Sequence, residues 1–214
     1  MTTPSHLARV AVLPLLTLAL GCSRPLPPVE PAFVAEWMQN QYGLIRAERL
    51  SPPVASRVTA YASVALYEGL ATGDAGLPTL VGRLPGLTAE GWPQAGEGTR
   101  TDPQLVALEA ERLVLDSLYA EGLPQTRAAI AAVSDSMAAA RLAQGTPEDV
   151  AAASVALGRR IGEAVLAWAA GDGFDSTRAK PWAPPVGPGL WVNTAEAEEY
   201  VPQNLSGSTD FVAL

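Results

Sequence analysis

Apolar residues recur at helical rather than strand spacing along most of this 214-residue chain. The densest stretch runs from Ser51 to Gly73. Val54, Val58, Tyr61, Ala65, Leu66 and Leu70 keep the i, i+3, i+4 rhythm of a helix. Ser56, Thr59 and Ser63 form a narrow and weakly polar stripe among them. Ser51 stands at the N-cap position, Pro52 at the first helical position, and Gly73 where a left-handed residue would close the helix. A helix apolar on nearly every side is normally enclosed by other helices. The stretch therefore predicts the central helix of an all-α domain.

Four further helices complete a bundle of about five. Phe33 to Glu48 carries Phe33, Trp37, Tyr42, Leu44 and Ile45 on its apolar side. Asp102-Pro103 opens a helix that Leu105, Leu108, Leu113, Leu115 and Leu118 carry to Gly122, with Glu109, Glu111, Arg112 and Asp116 read as its solvated face. Leu123 to Gln144 is alanine-rich, holds Ile130, Val133, Met137 and Leu142, and stops at Gly145. Thr146-Pro147-Glu148-Asp149 is a near capping box, and the helix it starts passes through Val155, Leu157, Ile161, Val165 and Trp168 to Gly171. No β-branched alternation competes with these assignments. Residues 75–100 are rich in Gly and Pro but spaced with Leu77, Leu80, Leu84, Leu87 and Trp92. They read as an ordered connection, long enough to hold a short helix.

Both ends break the pattern. Arg9 precedes an apolar run from Val10 to Leu20, which suits a signal-peptide core and is too short to span a bilayer. The run meets Gly21-Cys22, which looks like a bacterial lipoprotein processing site, although Ala19 precedes Leu20 where the reverse order is usual. Cleavage there would leave Cys22 to be acylated; ordinary secretion with an incidental cysteine is the alternative. Ser23, in place of an Asp, favours the outer membrane. The expected organisation is a leader at 1–21, a mobile Pro-rich tether at 22–32, a helical domain at 33–171 and an irregular Pro/Trp-rich arm at 172–214. The arm holds Trp182 and Trp191 and ends in Phe211-Val212-Ala213-Leu214. The chain is thus expected to be exported and lipid-anchored through Cys22, in the outer membrane or on the periplasmic face of the envelope.

The formal net charge is −8 and Lys180 is the only lysine, which argues against a nucleic-acid partner. The only histidine is His6, in the leader, and the only cysteine is Cys22. The remaining chain has no imidazole or thiol for a Ser–His–Asp or Cys–His scheme, nor for the usual zinc ligand sets. Asp172-Gly173-Phe174-Asp175 has a faint calcium-loop look but lacks further acidic ligands, and reads more simply as a glycine-closed helix end. Glu196, Glu198 and Glu199 read as solvated charge. Glu68 either pairs with an arginine such as Arg57 or reaches solvent near its helix end. Tyr61 and Tyr67 read as core residues. The sequence therefore assigns no catalytic, cofactor-binding or metal-binding residue, and one modification site, Cys22.

Three segments carry a family resemblance. Ser51-Pro52-Pro53-Val54-Ala55-Ser56-Arg57, with Tyr61-Ala62 and Val64-Ala65-Leu66-Tyr67-Glu68, is the first. Ala167-Trp168-Ala169 leading to Asp172-Gly173 is the second. Pro188-Gly189-Leu190-Trp191-Val192-Asn193-Thr194 is the third, and Phe211-Val212 follows where the family has a similar pair. In order and spacing they resemble the N-terminal half of bacterial vanadium-dependent haloperoxidases and type 2 phosphatidic acid phosphatases (the PAP2 superfamily). Asn193 and Asp210 stand where that family has proline. The resemblance implies half of a larger all-α fold, and phosphatase or haloperoxidase activity for the whole protein. The family's oxyanion site lies in its second half, in Lys-x6-Arg-Pro, Pro-Ser-Gly-His and Ser-Arg-…-His segments that have no counterpart here. The first reading is accordingly a truncated or split member: a scaffold half inactive by itself, partnered by a C-terminal catalytic half or a second copy, with vanadate a cofactor only of the full-length protein. The alternative is a non-catalytic envelope lipoprotein acting as a binding or structural module.

Overall fold

A computed structural model of the protein describes residues 25–178, 180 and 185–190. Residues 1–24, which include the expected leader and Cys22, together with Trp182 and everything from Trp191 onward, including Asn193, Glu196, Glu198, Glu199 and Phe211, lie outside the described residues. Five helices of ordinary length form the bundle: α1 (Pro31–Glu48), α2 (Pro52–Ala71), α3 (Pro103–Leu118), α4 (Pro124–Ala143) and α5 (Glu148–Ala169). A single turn, α6 (Phe174–Thr177), opens the C-terminal arm. No strand occurs among the described residues.

Proline sets the start of four helices. Pro31, Pro52, Pro103 and Pro124 each occupy the first turn, where the missing N–H removes no intrahelical bond. Asp102 adds a side-chain cap to α3, accepting from the Gln104 and Leu105 amides at 3.0 and 3.4 Å. Ser51 has the extended backbone of an N-cap, but its side chain makes no capping bond. The Thr146 box does not form either: Pro147 precedes α5, and the Thr146 hydroxyl turns inward to Asp102.

The helix enclosed by the others is α3, not α2. It packs on α2, α4 and α5. The reason is side-chain size. Where α3 presents Val106, Ala107 and Ala110, its neighbours present Gly69 of α2 and Gly158 and Gly162 of α5. A Cβ at Gly162 would sit 2.9 Å from the Ala110 carbonyl oxygen. These crossings bring backbones together in a way larger side chains forbid. α2 buries Val54, Val58, Ala62, Ala65 and Leu66 against this centre but leaves Ser56 and Ala60 exposed. Gly73 also serves close approach rather than left-handed closure. Thr72 caps α2 with right-handed backbone, and a Cβ on Gly73 would meet Pro103 at 2.6 Å.

Three further expectations are corrected. Residues 75–100 contain no helix; turns at Gly82 (φ 77°) and Gly86 (φ 78°) form instead. Four of the five apolar anchors hold: Leu87 is buried, and Leu80, Leu84 and Trp92 pack against the core. The segment before α1 has no regular secondary structure, yet residues 27 and 28 are tied down. Arg141 Nη2 donates to the Pro27 carbonyl at 2.6 Å and Nη1 to the Pro28 carbonyl at 2.9 Å. Glu111 is not on a solvated face but fully buried, and accepts a hydrogen bond from Gln41 Nε2 of α1.

A buried network fastens this pole of the bundle. Arg141 Nε pairs with Asp102 Oδ2 at 2.8 Å, and both side chains are inaccessible to solvent. Thr146 Oγ1 donates to the same oxygen at 2.9 Å, and the Asp102 amide donates to Ser154 Oγ at 2.7 Å. The start of α3, the end of α4, the start of α5 and the N-terminal arm therefore meet at one ion pair.

Candidate functional site

The opposite end of α5 gathers the residues of two separate sequence motifs. Arg57 and Tyr61 lie one turn apart on α2 and so share a face. Trp168 is on the last turn of α5, and Asp172 follows on the chain that leaves it. Gly173 takes a left-handed conformation (φ 80°), which turns the chain into α6 and aims Phe174 back at α2.

Arg57 Nε donates to Asp172 Oδ2 at 2.6 Å. The Tyr61 hydroxyl donates to the same oxygen at 3.0 Å, and the Phe174 amide donates to Oδ1 at 2.8 Å. The Arg57 guanidinium carbon lies 4.3 Å from the Phe174 ring centre and 5.2 Å from that of Tyr61. Tyr61 meets Trp168 edge to face, with centres 5.0 Å apart, and the Trp168 indole donates to the Pro85 carbonyl at 3.0 Å. The cluster thus joins α2, α5, α6 and the long connection.

The protonation states follow from these partners. Burial pushes the Asp172 carboxyl up, but Arg57, the Phe174 amide and the Tyr61 hydroxyl outweigh it, and the group is held below its ordinary value. Burial, reinforced by the Asp172 carboxylate, pushes Tyr61 up to about 12. At neutral pH the cluster is a fixed carboxylate, a fixed guanidinium and a neutral phenol. A carboxylate accepting from three donors is a poor general base.

Two open clefts flank it. One, of about 280 Å³, is lined by Arg57, Leu166, Phe174, Glu121, Asp175 and Arg178. The other, of about 420 Å³, is lined by Tyr61, Pro85, Gly86, Trp168 and Asp172. In the first, Arg178 approaches Glu121 at 3.9 Å and Asp175 at 3.7 Å. Cationic and anionic groups balance there. Among the described residues no group of three or more His, Cys, Asp or Glu side chains could hold a metal ion. No helix among them is long and apolar enough to cross a membrane.

Sequence reasoning named Arg57, Tyr61, Trp168 and Asp172 but did not join them, and it did not name Glu121 or Arg178. Asp172 and Gly173 read as a helix end or calcium-loop remnant, whereas Asp172 is the anion for Arg57. Glu68, expected to meet an arginine such as Arg57 or solvent, does not reach solvent, and Arg57 pairs instead with Asp172. Glu68 is buried and accepts from Thr79 Oγ1 at 2.8 Å and the Leu80 amide at 2.6 Å. It pins the start of the long connection. Tyr61 is a core residue as expected; Tyr67 is half-buried and donates to the Pro78 carbonyl. Phe174 carried no advance signal beyond its place after Gly173.

No family model matches the sequence, and no curated protein matches it. Among solved structures, the chain is similar to the crystal structure described as that of the first bacterial vanadium-dependent iodoperoxidase. The likeness covers 78% of this chain at a TM-score of 0.60 and 24% identity. The chain spans 40% of the length of that protein. The shared property is the fold: the five-helix bundle described above has the architecture of part of a helical vanadium haloperoxidase.

Proposed function

We propose that the helical unit is the scaffold half of a protein of the vanadium-haloperoxidase and acid-phosphatase type, and that the oxyanion-binding residues come from polypeptide outside the described region. The observation that carries this reading is the fold likeness to the iodoperoxidase, over most of this chain but under half of that one. The convergence of Arg57 and Tyr61 with Trp168 and Asp172 supports it, because these are the residues on which the sequence resemblance rests.

The residues present do not fit vanadate or phosphate. Such an oxyanion needs several uncompensated N–H donors converging on it. Arg57 is committed to Asp172, and Arg178 lies between Glu121 and Asp175. The only histidine in the sequence, His6, lies in the leader. No catalytic step is therefore assigned to this chain, and the Arg57–Asp172 cluster is read as the lock that holds α2 to the end of α5.

The second element of the proposal is a lipid anchor at Cys22, placing the domain on the bacterial envelope. It rests on the apolar run from Val10 to Leu20 and the Gly21-Cys22 junction. Mass spectrometry of the native N-terminal peptide tests it directly: an unmodified Cys22 removes the anchor.

Activity is tested by expressing the chain alone and together with the polypeptide encoded directly downstream. Each preparation is loaded with orthovanadate and assayed for iodide oxidation by peroxide, and assayed separately without vanadate for phosphatase. The expected result is activity only in the combination. A combination inactive in both assays overturns the scaffold reading and favours a non-catalytic envelope module.

A further inference from the structure

The interior of the bundle is not uniformly apolar. Seven buried side-chain atoms of the described residues lack a hydrogen-bond partner: Trp37 Nε1 and Gln41 Oε1 on α1, Gln104 Oε1 at the start of α3, Glu111 Oε2 in its middle, Tyr119 OH at its C-cap, and Thr126 Oγ1 and Ser134 Oγ on α4. Gln104 apart, helical register sorts them into levels. Gln41 touches Glu111, and one residue beyond each on α3 and α4 the Arg112–Asp135 pair sets Ser134 at the same height. Two turns further along, Glu48 of α1 acts on Tyr119, and α4, running back along α3, brings Thr126 to that end. Trp37 stands one turn from Gln41 on the same face of α1. The opposite faces of α3 meet α2 and α5 through Gly69, Gly158 and Gly162.

Orphaned buried polar groups are rare, and two that adjoin, as Gln41 Oε1 and Glu111 Oε2 do beside their residues' own hydrogen bond, mark a place where water with two to four polar partners is held. Glu111 is the one ionisable group at the first level. None of the ion pairs among the described residues includes it. The charged groups around it are engaged elsewhere: Arg112 with Asp116 and Asp135, Glu109 with Arg159, Arg141 with Asp102, and Glu48 with the Leu123 amide. A fully buried carboxyl with one amide donor and no cation is stable only when neutral.

We infer that the seam between α1, α3 and α4 is an internal water site whose proton-bearing member is Glu111, and that this proton and water together latch α1 onto α3. Protonated Glu111 supplies an O–H donor as well as an acceptor, so one carboxyl can both accept from Gln41 and donate to water. Loss of the proton leaves only acceptors and a buried charge, which weakens the hold on α1.

The direction of the pH effect follows. Burial raises Glu111 to about 8, against which the Gln41 hydrogen bond works only weakly. The folded state keeps a proton that the unfolded chain has released above about 4.5. Stability is therefore full below about 4.5, falls by up to tenfold in the folded-to-unfolded ratio per pH unit, and levels off above about 8.

The test uses the full chain and Glu111→Gln, which keeps the shape and the hydrogen-bonding capacity but cannot ionise. Urea unfolding between about pH 5 and 8 should show the wild type losing close to tenfold per unit relative to the variant. Nuclear Overhauser contacts should connect the Trp37 indole N–H to long-lived water. Parallel pH profiles for the two proteins, or a dry Trp37 indole, would overturn the proposal. Should Glu111→Gln fail to fold, infrared spectra of wild type with labelled glutamate decide it: a buried protonated carboxyl at about pH 6 is the expected result, and its absence refutes the latch.

Discussion

Arg141→Met removes the cation from the most buried ion pair in the bundle while keeping a side chain of similar length. Asp102 would then be a buried carboxylate without its counter-charge, a situation that costs about 3–5 kcal/mol. Asp102 keeps the Thr146 hydroxyl and the Gln104 and Leu105 amides, which places the expected loss at the lower end, about 3 kcal/mol. The carbonyls of Pro27 and Pro28 lose their donors as well, so the arm should detach. For a protein of this size about 3 kcal/mol corresponds to a fall in Tm of roughly 6–12 °C. Calorimetry or urea unfolding reads the stability. Hydrogen exchange and limited proteolysis at residues 25–30 read the arm. Asp102→Asn in the Arg141→Met background should recover part of the loss, because the unpaired charge is gone. A single variant that loses less than about 1 kcal/mol, or a double variant no more stable than Arg141→Met alone, would refute the view that charge compensation is what this network provides.

Asp172→Asn should destabilise by about 1–2 kcal/mol at neutral pH, since Arg57 loses its anion. Because the folded carboxyl titrates below its unfolded value, the wild-type advantage should be complete above about pH 4 and vanish as pH falls through the folded value; urea unfolding in acid checks it. Gly158→Ile should cost at least about 3 kcal/mol or prevent folding, because its Cβ would press on the Val106 carbonyl of α3, and circular dichroism with thermal melts would report it. Glu68→Ala should leave the helices intact but speed hydrogen exchange at residues 79–87, at a stability cost of about 2 kcal/mol.

Helix number and starting points were legible because proline and apolar spacing are local signals. Which helix is central was not legible. Enclosure of α3 depends on Gly69, Gly158 and Gly162 meeting Ala107, Val106 and Ala110 in turn across the bundle, and a glycine in a sequence does not announce its partner. Glu111 was misplaced by its type, although Leu108, Glu111 and Leu115 keep apolar spacing and that periodicity was a readable clue. The Arg57–Asp172 cluster was half legible: both residues stood in segments that stood out, but 115 positions separate them and no pairing rule reaches that far. The Pro27–Arg141 contact was hidden for the same reason, since composition alone makes a proline-rich segment look untethered.

Those two separations have a kinetic consequence. The lock at Asp172 and the clasp at Pro27 each close a loop of about the same length, 115 and 114 positions. Closures this distant are slow relative to helix formation, because chain entropy is lost before any contact is gained. At a synthesis rate of about 5–20 residues per second, Arg57 waits roughly 6–23 s after its own addition before Asp172 exists. During that interval the apolar face of α2 and the small-residue surface of α3 have no α5 to cover them. The nascent chain is thus most exposed to misassociation between the completion of α3 and the arrival of α5, and a chaperone acting on this protein would have its largest effect within that window.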